Sequence, residues 1–178
     1  MQRLFVALAI PDLVAQSLAL IQAGVPAARW QSREQLHLTL RFIGEVDGRD
    51  VAMIDDALAG VVAPRFTLEL HGTGAFGAKH PHALWAGVRS SEPLLHLQRK
   101  VETALQRAGQ APDRQKYTPH VTLARLRGAS AGRVMDYLTD HALYSSVPFA
   151  VDGFILYSSL LTSDGSIYRA ERGYRLTA

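Results

Sequence analysis

The chain has 178 residues, 48% of them hydrophobic and 20% charged, which is ordinary globular composition and long enough to bury about 70% of its unfolded surface. There is no cysteine, so disulfides, thiolate chemistry and cysteine-ligated metals are excluded, and a reducing cytoplasm suits such a chain. Net charge is only +3, from 19 Lys+Arg against 16 Asp+Glu, too mild to mark a nucleic-acid protein by charge alone. Nearly all of the positive charge is arginine, the side chain suited to planar, bidentate phosphate contacts.

The apolar run Leu4–Ile10 stops at Pro11-Asp12, too short for a membrane span, and no run along the chain approaches the ~20 residues one needs. It resembles a signal peptide only superficially. An amphipathic segment follows where a cleavage site would be expected, so the run reads as a first strand. Pro11 fits a first helical position, and Leu13–Gln22 reads as a helix ending at Gly24. Leu36–Ile43 reads as a strand closed by Gly44, with turn chemistry at Asp47-Gly48. Asp50–Val62 carries Val51, Ile54, Leu58 and Val61 at helical spacing. Phe66–Leu70 alternates as a strand, and a stretch containing Gly72, Gly74 and Gly77 follows. Leu84–Val88 reads as a strand and Leu94–Ala108 as an amphipathic helix ending at Gly109. His120–Leu126 is a strand, Gly132–Thr139 a short helix, Phe149–Leu160 a long strand, and Tyr168–Leu176 the last one.

This order repeats. Leu4-Phe5-Val6-Ala7 matches Leu84-Trp85-Ala86-Gly87 at an offset of 80. His37-Leu38-Thr39-Leu40 matches His120-Val121-Thr122-Leu123 at 83, and Pro64-Arg65-Phe66 matches Pro148-Phe149 at about 84. Near-constant offsets point to an internal duplication. The expected architecture is α+β: one domain over 1–178 made of two similar lobes. Each lobe is an antiparallel sheet with helices on its outer face, and an active-site cleft lies between the lobes.

A strand alternates its side chains, so His37 and Thr39 share one face, as do His120 and Thr122, while the intervening residues are buried. One His-x-Thr means little, because a lone histidine is more often structural than catalytic. Two copies at equivalent points of a duplicated pattern meet in one cleft. Two imidazoles can give and take a proton near neutral pH, which is what a displacement at phosphorus needs. The threonine hydroxyls can hold the non-bridging oxygens, and the scheme requires no metal and no other cofactor. Arg41 falls on the His37 face by strict alternation and could pair with phosphate. Arg125 falls on the wrong face unless twist or the strand end re-aims it. Phe42 falls on the apolar face and reads as core. Trp30, Tyr117 and Tyr157 stay open, and Arg114 and Arg127 read as surface charges. His80-Pro81-His82, with His71 nearby, is the one hint of a zinc site, but no carboxylate stands at ligand spacing.

At these residues the sequence resembles the 2H phosphoesterase superfamily, defined by two His-x-Thr-x motifs. Within it the chain is similar to the bacterial RNA 2′,3′-cyclic phosphodiesterases, also called 2′-5′ RNA ligases or LigT-like proteins. The resemblance covers nearly the whole chain. It rests on Arg3–Ala7, on Leu36–Val46, on Thr118–Arg125, on Leu156-Tyr157-Ser158-Ser159, and on Gly165 with Tyr168. It implies hydrolysis of a 2′,3′-cyclic phosphate, at an RNA end or on a nucleotide, to a 2′-phosphate. It also implies His37 as proton donor and His120 as proton acceptor, with Arg125 on the phosphate and reversible 2′-5′ ligation as a secondary activity. The expected protein is a cytoplasmic monomer with no membrane partner. Rival readings are another 2H activity on 2′,5′-linked or ADP-ribose cyclic phosphates, an RNA-binding module without turnover, and a zinc hydrolase built on His80 and His82.

Overall fold

The structure, a computed structural model, describes all residues from Met1 to Ala178. Ten strands and four helices run β1 (Gln2–Ala9), α1 (Asp12–Ala19), β2 (Ala28–Trp30), β3 (His37–Val46), α2 (Gly48–Ala59), β4 (Phe66–Leu68), β5 (Leu70–Phe76), β6 (Ala83–Val88), α3 (Glu92–Arg107), β7 (His120–Leu126), α4 (Ala131–Asp140), β8 (Phe149–Val151), β9 (Gly153–Thr162) and β10 (Gly165–Arg175). The main sheet has the order β10-β9-β1-β3-β7-β6-β5, with β2 pairing on β7, and β4 and β8 form a small ribbon. Every strand pairing is antiparallel. The α+β, antiparallel architecture expected from the repeat is present. No helix is long and apolar enough to cross a membrane.

The helices form where the apolar spacing demands. In α3, Leu94, Leu97, Val101 and Leu105 are buried along one face. The Ser91 hydroxyl caps its start by accepting from the Leu94 amide, and Pro93 sits in the first turn. Leu38 and Leu40 of β3, Val121 and Leu123 of β7, and the buried residues of α3 belong to one continuous core.

Several expectations need correction. Pro11 is the N-cap of α1 rather than its first residue, and that helix ends at Ala19. The stretch around Gly72, Thr73 and Gly74, given no element by the sequence, is part of strand β5. The segments 66–70 and 149–160 each break, at Glu69 and Asp152, into a short ribbon strand and a sheet strand. The two breaks lie 83 positions apart, so they belong to the same duplication. The β1/β6 equivalence also slips. Cross-strand registers pair Ala7 with Thr39 and Trp85 with Thr122, so Ala7 corresponds to Trp85 at an offset of 78, not 80. A slip of two leaves every side chain on its own face, which is why alternation does not reveal it.

The lobes are also not the two halves of the chain. Spatially, β3, β1, β9 and β10 lie on one side of the seam and β7, β6 and β5 on the other. β5 comes from the first half yet pairs with β6, and β9 comes from the second half yet pairs with β1. At the seam itself β3 meets β7 at a single residue pair, Leu38 opposite Val121. Farther along β7, β2 takes over the same edge.

Candidate active site

His37 opens β3 and His120 opens β7, one on each side of the seam. Their anchoring is the same. His37 Nδ1 lies 2.7 Å from the carbonyl of Gln35, and His120 Nδ1 lies 2.6 Å from the carbonyl of Thr118, each two residues upstream. A carbonyl only accepts, so Nδ1 carries the hydrogen and Nε2 is left to exchange a proton. On the His37 side the anchor is itself built in. A 3-10 turn over Arg33–Gln35 is closed by reciprocal bonds between Ser32 and Gln35. The Gln35 side chain also donates to the Ser166 carbonyl of β10 at 2.9 Å.

Aromatic rings wall both imidazoles. Phe5 and Tyr168 stand 4.8 and 5.0 Å from the His37 ring. Phe76 and Trp85 stand 4.9 and 5.9 Å from that of His120. The Trp85 indole lies against the backbone of β5 at Gly74, where a Cβ would come within 2.2 Å of the ring. Burial is the largest influence on His37 and pushes its pKa down to about 4. The Gln35 carbonyl pulls the other way, and the charges of Arg125 and His120 add to the fall. Burial also lowers His120, against the pull of the Thr118 carbonyl and with a push from Arg125. Arg125 therefore acts on both rings.

Matched bulges explain how Arg125 gets there. Between β1 and β3 the register jumps at Leu40, and between β6 and β7 it jumps at Leu123. Each bulge spends one extra residue, so two successive side chains, Leu40 and Arg41 or Leu123 and Ala124, point into the core. The next residue then returns to the histidine face. That residue is Phe42 in one strand and Arg125 in the other, both at the fifth position after the histidine. Arg125, His37, Thr39 and Phe42 line a common cavity of 390 Å³ together with Arg3 and Tyr168.

The bulge reverses two expectations. Arg41 does not face the cleft. Its side chain is 9% exposed and bonds Glu102 of α3, the Phe42 carbonyl and, at 2.5 Å, the Ala111 carbonyl. Those bonds turn its guanidinium toward α3 and the segment that follows it, away from the histidine face. Phe42 is not core. It is 45% exposed, with the Arg3 guanidinium 5.1 Å above its ring. Trp30 packs toward Tyr137, while Tyr157 stacks on Phe5 with its ring 6.4 Å from that of His37. Arg114 and Arg127 are exposed. His82 stacks on Phe76, while His71 lies 3.3 Å from Arg89. No three His, Cys, Asp or Glu side chains are grouped so as to hold a metal ion. A hollow of 620 Å³ lies at the Asp152–Ile155 bend, but it contains no histidine. Sequence reasoning missed Arg3, Phe5 and Tyr168 as neighbours of the site, because pairing across the sheet, not spacing along the chain, brings them there. Tyr117, left open by the sequence, lies three positions before His120 and donates its hydroxyl to the Thr39 carbonyl.

An antiparallel sheet presenting two equivalent His-x-Thr faces, one on each side of a pseudo-two-fold seam, defines a phosphoesterase of the two-histidine class. A profile of the 2′-5′ RNA ligase superfamily matches residues 11–161, and the chain belongs to that family. It is 35% identical over 154 residues to an RNA 2′,3′-cyclic phosphodiesterase of Aeropyrum pernix, covering 85% of this chain and 87% of that one. It is 33% identical over 145 residues to the Thermotoga maritima protein of the same name, covering 80% and 76%. Among solved structures, E. coli LigT superposes with a TM-score of 0.82 at 25% identity, over 99% of this chain and 98% of that one. A complex of E. coli LigT with 3′-AMP superposes at 0.81 with 27% identity, over 99% of each chain.

Proposed function

We propose that the protein hydrolyses a 2′,3′-cyclic phosphate, on an RNA end or a nucleotide, to a 2′-phosphate without a metal. The observation that carries this is the matched anchoring of His37 and His120, which leaves one Nε2 on each side of the seam for proton exchange. The names of the relatives support the choice of substrate. His120 Nε2 takes a proton from water as its oxygen attacks phosphorus. The bond from phosphorus to O3′ breaks, and His37 Nε2 gives its proton to that leaving oxygen. The products are a 2′-phosphate and a free 3′-hydroxyl. Thr39, Thr122 and Arg125 hold the non-bridging oxygens, and Arg41 is left out of the machinery.

In the free protein, burial keeps His37 neutral near pH 7. An arriving phosphodiester anion reverses the balance, because it favours the charged ring. The donor role of His37 thus belongs to the complex rather than to the empty site. The same reading takes the protein as a monomer acting in the cytoplasm.

The test is hydrolysis of each nucleoside 2′,3′-cyclic phosphate in excess chelator, with identification of the product isomer. A 2′-phosphate product, abolished by His37→Ala and by His120→Ala, is the expected result. Turnover that survives both substitutions, or that needs added metal, sinks the proposal.

A further inference from the structure

The segment between α3 and β7, residues 108–119, delivers His120 and the Thr118 carbonyl that orients it. From Ala111 to Pro119 it makes no backbone–backbone hydrogen bond. Side chains hold it instead. The Glu102 carboxylate accepts from the Asp113 amide at 3.0 Å, and the Arg41 guanidinium donates to the Ala111 carbonyl. The last fastener before the motif is Tyr117, whose hydroxyl donates to the backbone carbonyl of Thr39 at 3.0 Å. That bond crosses the seam and ties the approach to the second His-x-Thr directly to the first. It does so where β3 and β7 share only the Leu38–Val121 pair. Burial pushes the Tyr117 phenol up, so it stays a donor throughout the working range.

We propose that Tyr117 is a positioning residue for the reaction: its hydrogen bond to the Thr39 carbonyl sets the spacing between the two catalytic histidines. The inference rests on the function proposed above. Tyr117 reaches neither the phosphate nor a transferred proton. It acts through the backbone that aims His120. Removing the bond lets the start of β7 drift from β3. Displacements of about 1 Å at a reacting centre cost up to roughly a hundredfold in rate.

The experiment compares wild type, Tyr117→Phe and Tyr117→Leu. It uses two readouts: steady-state hydrolysis of a nucleoside 2′,3′-cyclic phosphate, and the titration of the two histidine rings by NMR in the absence of substrate. The groups facing His37 are Arg125 and His120 from β7, Tyr157 from β9 and Tyr168 from β10. Of these, His120 is the one the loosened strap moves. Tyr117→Phe keeps the ring and the thermal midpoint. The expected result is a fall in kcat of about tenfold or more with KM little changed, because the phosphate contacts remain. The His37 titration should move upward as His120 and its charge recede. A packing role predicts a different pattern, with Phe like wild type and only Leu impaired, and that outcome overturns the proposal. So does unchanged kcat, or an unchanged His37 titration, in Tyr117→Phe. A wild type that does not turn over cyclic phosphates overturns the function instead, and the histidine titrations then still report on the spacing.

Discussion

Lowering the pH from about 7.5 to 4 should destabilise the wild-type protein by about 3 kcal/mol more than it destabilises a His37→Gln variant. In the unfolded chain His37 takes up a proton near 6.5, but in the fold its pKa is pushed down to about 4. Between those values the unfolded state binds a proton that the folded state refuses, so stability rises with pH there. The full contribution is present above 6.5 and is lost as the pH falls to about 4. At roughly 1.4 kcal/mol per pH unit, and with the ring half protonated at the lower end, the loss is about 3 kcal/mol. Other carboxylates and histidines titrate over the same range, which is why the comparison uses a variant that cannot protonate at this position. Urea denaturation at a series of pH values gives the two curves. The wild-type curve should fall more steeply toward acid than that of the variant. Parallel curves for the two proteins would refute the burial argument and, with it, the claim that the empty site holds His37 neutral.

Arg41→Met should lower stability by about 3 kcal/mol, because it leaves the Glu102 carboxylate partly buried without the guanidinium that neutralises it, and adding Glu102→Met should recover part of the loss, since the Asp113 amide then gives up its acceptor. Equilibrium denaturation of the two variants checks this, and no recovery in the pair would contradict it. Gly74→Ala should cost about 1–3 kcal/mol and shift the tryptophan fluorescence, since the new methyl displaces the Trp85 indole beside His120. Arg125→Met should cut kcat/KM for a cyclic nucleotide by about ten- to a hundredfold, the worth of hydrogen bonds to a charged group, while leaving the thermal midpoint nearly unchanged. A fall confined to stability would remove Arg125 from the site.

Much of this was readable before the fold. The two His-x-Thr pairs, the repeat and the antiparallel α+β class follow from spacing and alternation. Arg41 and Phe42 were misplaced because alternation was carried through a bulge. In β7 the bulge leaves a trace, since the alternation of Val121 and Leu123 is broken by Arg125 and resumes at Leu126, three positions on. In β3 the apolar Phe42 continues the alternation of Leu38 and Leu40 and hides the bulge. Carrying the β7 interruption across the repeat would have returned Arg125 to the histidine face and sent Arg41 away from it. The pairing of β9 with β1, and with it the wall of Tyr157 and Tyr168 near His37, had no such signal. It depends on contacts between residues some 150 positions apart, which no local period encodes.

The exchange of strands across the seam bears on how the protein is made. As the chain leaves the ribosome, β1 and β3 emerge early and can pair with each other, but β9, the second neighbour of β1, comes more than a hundred residues later. β5, synthesised next, has no sheet to join until β6 follows it. The wall that β9 and β10 place beside His37 is therefore the last part of the site to form. Folding must wait for late, long-range pairing, which is the slow kind. The arrangement that gives the sheet its symmetry also makes the surroundings of His37 depend on strands about 150 positions apart.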